Sequence, residues 1–177
     1  AICCRNCGDW LTKPARTVAV IHLTLADEAA TLSFAGVLAA CAQPGMLVLL
    51  EGPLAAGKTT FARGFLRALG HLGHVKSPTF TVVESYYLPR LSVHHFDLYR
   101  INDPDELHYL GFDDFLAGDA LCLIEWPSRA GHALPLATWA IHWEIGAGET
   151  RKISLECRDE NLHKTLHVAL EKFFISV

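Results

Sequence analysis

Long apolar runs and an excess of basic residues are both missing from this sequence. No stretch of its 177 residues approaches the roughly 20 consecutive apolar residues of a membrane-spanning helix, so we expect no membrane association. The residues before Pro14 lack the apolar core of a signal peptide. The formal net charge of −4 argues against a protein that coats nucleic acid, so we expect no DNA binding, although a local basic patch is compatible with it.

Cysteine is present, but not in the pattern of a disulfide framework or a metal site. Of the six cysteines, Cys41, Cys122 and Cys157 fall in apolar-patterned segments, where a reduced thiol is a small hydrophobe. The other three cluster between residues 3 and 7, and no second Cys/His pair completes a zinc site with them. We therefore expect reduced thiols, no zinc and a cytoplasmic location.

The composition predicts a single domain with a substantial core. Hydrophobic residues make up 51% and charged residues 19% of the chain, and no repeat, low-complexity segment or interdomain linker interrupts it. Residues 1–16 lack any pattern and are interpreted as a tail that is disordered or not native. The first residue is not methionine, which leaves its origin open. Residues 17–177 are predicted to form the domain.

The chain is organised around the segment 52–59, Gly-Pro-Leu-Ala-Ala-Gly-Lys-Thr, which fits the P-loop spacing G-x-x-x-x-G-K-[ST]. Before it, residues 46–50 form a short apolar run typical of a buried parallel strand. After it, residues 59–69 carry apolar side chains at helical spacing, and Gly70 is a plausible helix stop. This strand, glycine loop and helix are the context that the motif requires.

The residue types of the loop suit phosphate chemistry. Glycines allow backbone N–H groups to turn inward around phosphate oxygens beside a helix N-terminus. Lys58 can then reach the β- and γ-phosphates, and the Thr59 hydroxyl can ligate Mg²⁺. The alternative is a glycine-bearing surface turn before a helix, and the register of strand and helix disfavours it.

The remaining pattern predicts an α/β sandwich with a mixed sheet, parallel at its centre and antiparallel toward its edges. Asp27 is interpreted as a cap or first-turn acid of the first helix. The predicted strands, besides 46–50, are 18–25, 80–88, 93–99, 120–124, 138–145 and 151–157, and the predicted helices, besides 59–69, are 27–41, 105–110, 113–117 and 161–174.

Two acids are candidates for the second half of the site. Glu125 follows a buried strand and precedes a turn, which brings a carboxylate to the end of the sheet where the phosphates lie. Its alternative is an exposed strand-end carboxylate. Asp97, near the end of a hairpin strand, is the weaker candidate because such strands often carry a solvated Asp.

Several polar and aromatic residues keep two interpretations at this point. Ser77 and Thr79 flank Pro78 and either sense the γ-phosphate as a switch does or belong to a plain turn. Trp126 is either core packing or part of a partner surface. Of His94 and His95, we expect one in the core and the other at the surface.

Taken together, these motifs resemble the bacterial TsaE (YjeE) family. The resemblance covers roughly residues 18–177, and the joint occurrence of its motif blocks is highly specific. No counterpart of the segment before Pro14 is evident. The blocks are 52–60, 75–80 (Val-Lys-Ser-Pro-Thr-Phe), Glu84, 95–100 (His-Phe-Asp-Leu-Tyr-Arg) and 124–127 (Ile-Glu-Trp-Pro).

The resemblance implies a P-loop ATPase that binds ATP or ADP with Mg²⁺ and supports the TsaB–TsaD pair. In that family, the pair transfers threonylcarbamoyl to the adenosine next to the anticodon of tRNAs that read codons beginning with A. The resemblance therefore implies that this protein interacts with tRNA indirectly, through the complex. By matching positions, we expect catalytic roles for Lys58, Asp97 and Glu125, and metal ligation by Thr59 and Glu125. The residues expected at the nucleotide are Gly52, Ala55, Ala56, Gly57, Lys58, Thr59, Thr60, Asp27, Ser77, Thr79 and Trp126.

Two positions depart from the family pattern, which usually reads Gly-Asp-Leu-Gly-Ala-Gly-Lys-Thr. Pro53 removes one backbone donor, and Ala55 costs on the order of 1 kcal/mol if its position requires a left-handed conformation. We therefore expect weakened nucleotide binding rather than its loss.

The rival hypotheses are a nucleotide-switched binding module with negligible turnover and a small-molecule kinase. No insertion is long enough for the arginine-bearing lid of such a kinase.

Overall fold

A seven-stranded sheet lies between two layers of helices in the computed structural model, which describes residues 19–174, with side chains to 172. The predicted tail 1–16 lies outside the described residues. So does the side chain of Phe173, which the helical spacing of 161–174 predicts to point inward. The strands are β1 (Ala19–Leu25), β2 (Leu47–Glu51), β3 (Val83–Tyr87), β4 (Ser92–Asp97), β5 (Leu121–Glu125), β6 (Trp139–Ile145) and β7 (Arg151–Cys157), and the helices are α1 (Glu28–Cys41), α2 (Lys58–Ala68), α3 (Glu106–Tyr109), α4 (Phe112–Ala117) and α5 (Glu160–Phe174).

The sheet confirms the predicted mixed α/β class. Its strand order is β1-β7-β6-β2-β5-β4-β3. The central strands β6, β2, β5 and β4 run parallel, whereas β3, β7 and β1 pair antiparallel at the two sides. The predicted hairpin β3–β4 and the hairpin β6–β7 are both present.

The alternation of side chains along the strands explains why the sheet has a separate hydrophobic cluster on each face. On β5, Leu121 and Leu123 join the larger cluster, while Cys122 and Ile124 join the smaller one, because successive strand side chains point to opposite faces. Helices α1, α2 and α5 cover the larger cluster, and α3 and α4 cover the smaller one. This double coverage is what the continuous apolar pattern of the strand predicts.

The prediction of a strand over 80–88 is too long, because its first residues form a turn. The Val82 N–H donates to the Pro78 carbonyl at 2.7 Å, and the Thr81 hydroxyl donates to Glu84 at 3.0 Å. Val82 has φ of 65°, which is an outlier for a β-branched residue. Phe80 is 81% exposed. The β-branched and aromatic composition that predicted a strand here is therefore overridden by local turn hydrogen bonds.

The parallel register sets the location of the site. Because β2, β5 and β4 are parallel, their carboxyl ends meet at one edge of the sheet. Leu50 pairs with Glu125, and Asp97 pairs with Glu125 on the other side. The loop that follows β2 therefore lies beside both predicted acids.

The cysteines of the described part are unpaired and packed. Burial raises the pKa of the Cys122 thiol to about 11 and also raises the pKa of Cys41 and Cys157. Such thiols stay protonated, as small hydrophobes do. Within residues 19–174, no helix combines the length and apolar character needed to cross a bilayer.

We predict that Gly64→Ala destabilises the protein by about 1 to 3 kcal/mol relative to Gly36→Ala, because α1 and α2 approach too closely for an added methyl. A Cβ at residue 64 would lie 3.0 Å from Ala35 Cβ and 3.1 Å from Leu32 Cδ2. Urea unfolding measures the change. Gly36→Ala is the control, since no atom of the described residues lies within 4 Å of its added Cβ. Both changes share the helix-propensity gain of about 1 kcal/mol. Equal stability of the two variants would contradict the close packing.

Candidate functional site

The loop between β2 and α2 follows the path that its glycines permit. Gly52 has φ of 148°, and a Cβ there would lie 2.8 Å from the Trp143 carbonyl oxygen, so only glycine fits against the neighbouring strand. Gly57 caps α2 with φ of 110°. Ala55 also adopts a left-handed conformation, with φ of 62°. The strain expected for an alanine at this position is therefore present.

The start of α2 supplies backbone donors to the loop. The first four N–H groups of a helix have no partner inside it, which here means the amides of residues 57–60. Phe61 is the first to bond within the turn, donating to the Gly57 carbonyl at 2.8 Å. Within the described part of the chain, no side chain caps this end of α2. The free amides, together with the helix dipole, make the turn suited to an anion.

Lys58 lies at the centre of the loop and is only 4% exposed. Its ammonium donates to the carbonyls of Gly52 at 2.6 Å and Pro53 at 2.9 Å, and it lies 3.8 Å from the centroid of the Trp126 ring. Burial lowers the pKa of Lys58, while the nearby carboxylates, Glu125 first, raise it. Trp126 is therefore a cover for this cation, which favours a site role over a surface for a partner.

Glu125 lies at the end of β5, only 2% exposed, and both of its carboxylate oxygens are engaged. Oε2 accepts a hydrogen bond from the Thr59 hydroxyl at 3.0 Å. Oε1 lies 3.0 Å from Nε2 of His95, which is fully buried. The predicted alternative of an exposed strand-end carboxylate is wrong, because the strand register carries this acid into the space beside α2.

Asp97 anchors the turn that follows α2. Its Oδ2 accepts hydrogen bonds from the Thr79 hydroxyl at 2.6 Å and the Ser77 hydroxyl at 3.4 Å, and its Oδ1 accepts from the Tyr99 N–H at 3.0 Å. Asp97 is 4% exposed, so it is not the solvated hairpin acid that the sequence left open. The two hydroxyls flanking Pro78 therefore belong to the site.

A second group of residues borders the other side of the loop. The Asp27 carboxylate caps α1 by accepting from the Ala30 N–H at 2.8 Å, which confirms the predicted cap. The Arg151 guanidinium donates to the carbonyls of Ala56 at 3.1 Å and Ala55 at 3.4 Å. Arg151 thus fixes the outer face of the loop from β7.

Two cavities of about 330 Å³ each meet at the loop. One contains Lys58, Asp97, Glu125 and Trp126, and the other contains Asp27 and Arg151. Ala55, Ala56, Gly57 and Thr60 line both. A larger cavity of about 680 Å³, bordered by Arg90 and the turn before β2, holds none of the predicted site residues. The chemistry, rather than the size, therefore points to the loop.

All predicted site residues lie around this loop, and four contributors were not predicted. Glu51 bridges the loop to the turn after β5, accepting from the N–H groups of Gly52 at 3.3 Å and Ser128 at 3.1 Å. His95 shares a strand face with Asp97, two residues away, and that alternation was a usable signal. Tyr99 lies in the motif block 95–100, although no role was expected for it. Arg151 reaches the site only through the fold, and no pattern in the sequence marks it. Among the described residues, no group of three or more His, Cys, Asp or Glu side chains could hold a metal.

We predict that Ala55→Gly stabilises the folded protein by up to about 1 kcal/mol, because glycine relieves the left-handed strain. The gain is reduced by the greater freedom of glycine in the unfolded chain. Thermal and urea unfolding without nucleotide measure it. Ala56→Gly is the control, since Ala56 is fully buried and outside the left-handed region, and that change should destabilise. A loss of stability in Ala55→Gly would contradict the strain.

The sequence is similar to that of a known protein family. Residues 25–153 match the family model described as threonylcarbamoyl adenosine biosynthesis protein TsaE. Two proteins named tRNA threonylcarbamoyladenosine biosynthesis protein TsaE are among the relatives. That of Bacillus subtilis is 43% identical over 124 residues, covering 70% of this chain and 77% of the relative. That of Haemophilus influenzae is 47% identical over 95 residues, covering 54% of this chain and 60% of the relative.

A solved structure shares the architecture. The crystal structure of Bacillus subtilis YdiB superposes with a TM-score of 0.71 at 28% identity, over 88% of this chain and 97% of that one. Because the family model matches well over half of the chain, the resemblance drawn from the motif blocks is confirmed: the chain belongs to the TsaE family.

Proposed function

We propose that this protein binds and hydrolyses ATP with Mg²⁺ at the P-loop, and that this cycle supports the TsaB–TsaD pair in tRNA threonylcarbamoylation. The observation that carries the proposal is the convergence of Lys58, Thr59 and Glu125 at the turn between β2 and α2. Its place in threonylcarbamoyladenosine biosynthesis follows from its membership of the TsaE family. The partners TsaB and TsaD follow from the resemblance alone.

Phosphate binding is supported by the donors around the loop. The free amides of residues 57–60 and the Lys58 ammonium are the groups that a polyphosphate needs. Lys58 now donates to the Gly52 and Pro53 carbonyls. Those bonds hold the ammonium inside the loop, where phosphate oxygens can replace the carbonyls as acceptors.

The residues present fit Mg²⁺. Thr59 and Glu125 offer oxygen atoms 3.0 Å apart, and oxygen is the donor that this hard cation takes, with a few protein groups completed by phosphates and water. When bound, the ion would neutralise charge on the β- and γ-phosphates. Thr59 would ligate it, and Glu125 would ligate it or hold its water. The small number of protein ligands fits the absence of a dense metal cluster in residues 19–174.

Asp97 would act on the water that attacks the γ-phosphate. Its carboxylate is buried among the Ser77 and Thr79 hydroxyls, which face the same cavity as Lys58. A carboxylate held there can orient or deprotonate a water near the γ-phosphate. Trp126 covers the Lys58 ammonium, which excludes water from it and strengthens its interaction with phosphate.

The alternative function is a binding module that changes state with the bound nucleotide and has negligible turnover. The hydrogen bonds from Ser77 and Thr79 to Asp97 favour it in one respect, because a hydroxyl-bearing turn of this kind can respond to a γ-phosphate. The difference between the two functions is whether Asp97 and Glu125 accelerate hydrolysis. That difference is measurable.

We predict that Asp97→Ala and Glu125→Ala each lower single-turnover ATP hydrolysis in the presence of TsaB and TsaD by about 100-fold or more. Radiolabelled ATP in a single turnover, with and without TsaB–TsaD, measures the rate. Asp114→Ala is the control because this exposed acid lies on α4, outside the loop cavities. A rate unmoved by either site change would favour the binding module. Absence of calorimetric heat on adding Mg-ATP to the unaltered protein would refute both functions.

We also predict that the Pro53→Asp, Ala55→Gly double variant binds ATP more tightly, by about 3- to 10-fold. The change restores one backbone donor, worth about 0.5 to 1.5 kcal/mol, at a position whose carbonyl already holds Lys58. Nucleotide titration measures the affinity. Pro53→Ala is the matched control, because it restores the N–H without adding charge. Equal or weaker binding by the double variant would show that the unusual loop costs no affinity.

A further inference from the structure

We propose that His95 is a positioning residue that holds the Glu125 carboxylate in the orientation facing Thr59, and so tunes the Mg²⁺ dependence of nucleotide binding. This inference rests on the proposed function of the loop and adds one residue to it. It begins from the buried contact of His95 Nε2 with Glu125 Oε1 at 3.0 Å.

The register of the sheet explains why this histidine reaches that acid. On β4, His95 and Asp97 lie on one face, two residues apart. Leu123 pairs with His95, and Glu125 pairs with Asp97. His95 therefore lies two residues before Asp97 on β4, and Glu125 lies opposite Asp97 on β5. The His95 ring contacts Glu125 diagonally across the two strands.

The contact leaves the Glu125 carboxylate little freedom. One oxygen is held by His95 and the other by the Thr59 hydroxyl, and the acid is only 2% exposed. Rotation of the carboxylate would break at least one of these bonds without a replacement from water, which is costly for a buried charge. Oε2 thus stays toward the residue that would ligate the ion.

The other ring nitrogen shows that the contact with Glu125 is specific. Nδ1 of His95 is buried and has no hydrogen-bond partner within the described part of the chain. A carboxylate can only accept a hydrogen bond, so the ring nitrogen that faces it, Nε2, is the donor. Among residues 19–172, the one polar side chain that the ring contacts is Glu125. Residues that orient a metal-ligating group from behind act in this way.

Three substitutions separate positioning from simple support of the fold. In His95→Gln, the side-chain amide nitrogen can occupy the place of Nε2 and still donate to Glu125. In His95→Asn, the shorter amide reaches only the place of Nδ1 and cannot. Both carry the same polar group, so their comparison is matched for burial cost. His95→Phe removes the donor and retains a ring.

The experiment is calorimetric titration of each full-length variant with ATP, once with EDTA and once with saturating Mg²⁺. The readout is the ratio of the two dissociation constants. In the unaltered protein, we expect Mg²⁺ to tighten binding. His95→Asn and His95→Phe should lose about 10- to 100-fold of that tightening, while His95→Gln retains most of it. Affinity in EDTA should be unchanged in all three, because Lys58 and the loop amides are untouched.

The outcomes are distinct. A fall in affinity in EDTA as well, equal in the Asn and Gln variants, would show a purely structural role and overturn the inference. An unchanged ratio in His95→Asn would also overturn it. If His95→Phe does not fold, as judged by circular dichroism, the comparison of His95→Asn with His95→Gln still tests the positioning role. If the unaltered protein binds ATP without regard to Mg²⁺, the proposed function fails at that step, before any variant is compared.

Discussion

The burial of charged groups at one edge of the sheet is the constraint on which the rest of the structure depends. Lys58, Glu125 and Asp97 are each at least 96% buried, and His95 is fully buried. Isolated charges in such a place would be strongly destabilising. They are tolerated because each has fixed partners: loop carbonyls for Lys58, and hydroxyls or an imidazole for the acids. The parallel register of β2, β5 and β4 is what brings these partners together.

The two acids are held by different parts of the molecule. Glu125 bonds to Thr59 on α2 and to His95 on β4, both inside regular elements packed against the core. Asp97 bonds to hydroxyls of the turn that contains Pro78. That turn ends in the left-handed Val82, a conformation that costs a β-branched residue on the order of 1 to 2 kcal/mol. Glu125 is therefore held between elements of the core, whereas Asp97 is linked to a strained turn.

Much of the fold was predictable because its signals are local. The apolar run of β2, the helical spacing of α2 and the carboxyl-end position of Glu125 are each read from a few adjacent residues. The turn at Phe80 and Thr81 was not predictable in this way. Its residues favour a strand, but the hydrogen bonds to Pro78 and Glu84 hold them in a turn. In the site, the partners of His95 and Arg151 lie 30 and 95 residues away. The two-residue spacing of His95 from Asp97 was a local signal, whereas Arg151 had none. Only the folded sheet brings such pairs into contact.

Arg151 shows how the chain tolerates an alanine in a left-handed conformation of the loop. A left-handed alanine costs about 1 to 2 kcal/mol, and Ala55 has φ of 62°. The carbonyls of Ala55 and Ala56 both accept from the Arg151 guanidinium, and a hydrogen bond to a charged group contributes about 1.5 to 3 kcal/mol when buried. Arg151 is half-buried, so the smaller value applies, and it is of the same size as the strain. Because this strain is present in the loop as it stands, the alanine lowers the stability of the fold. The missing donor of Pro53 is the departure that would act on a phosphate at the proposed site.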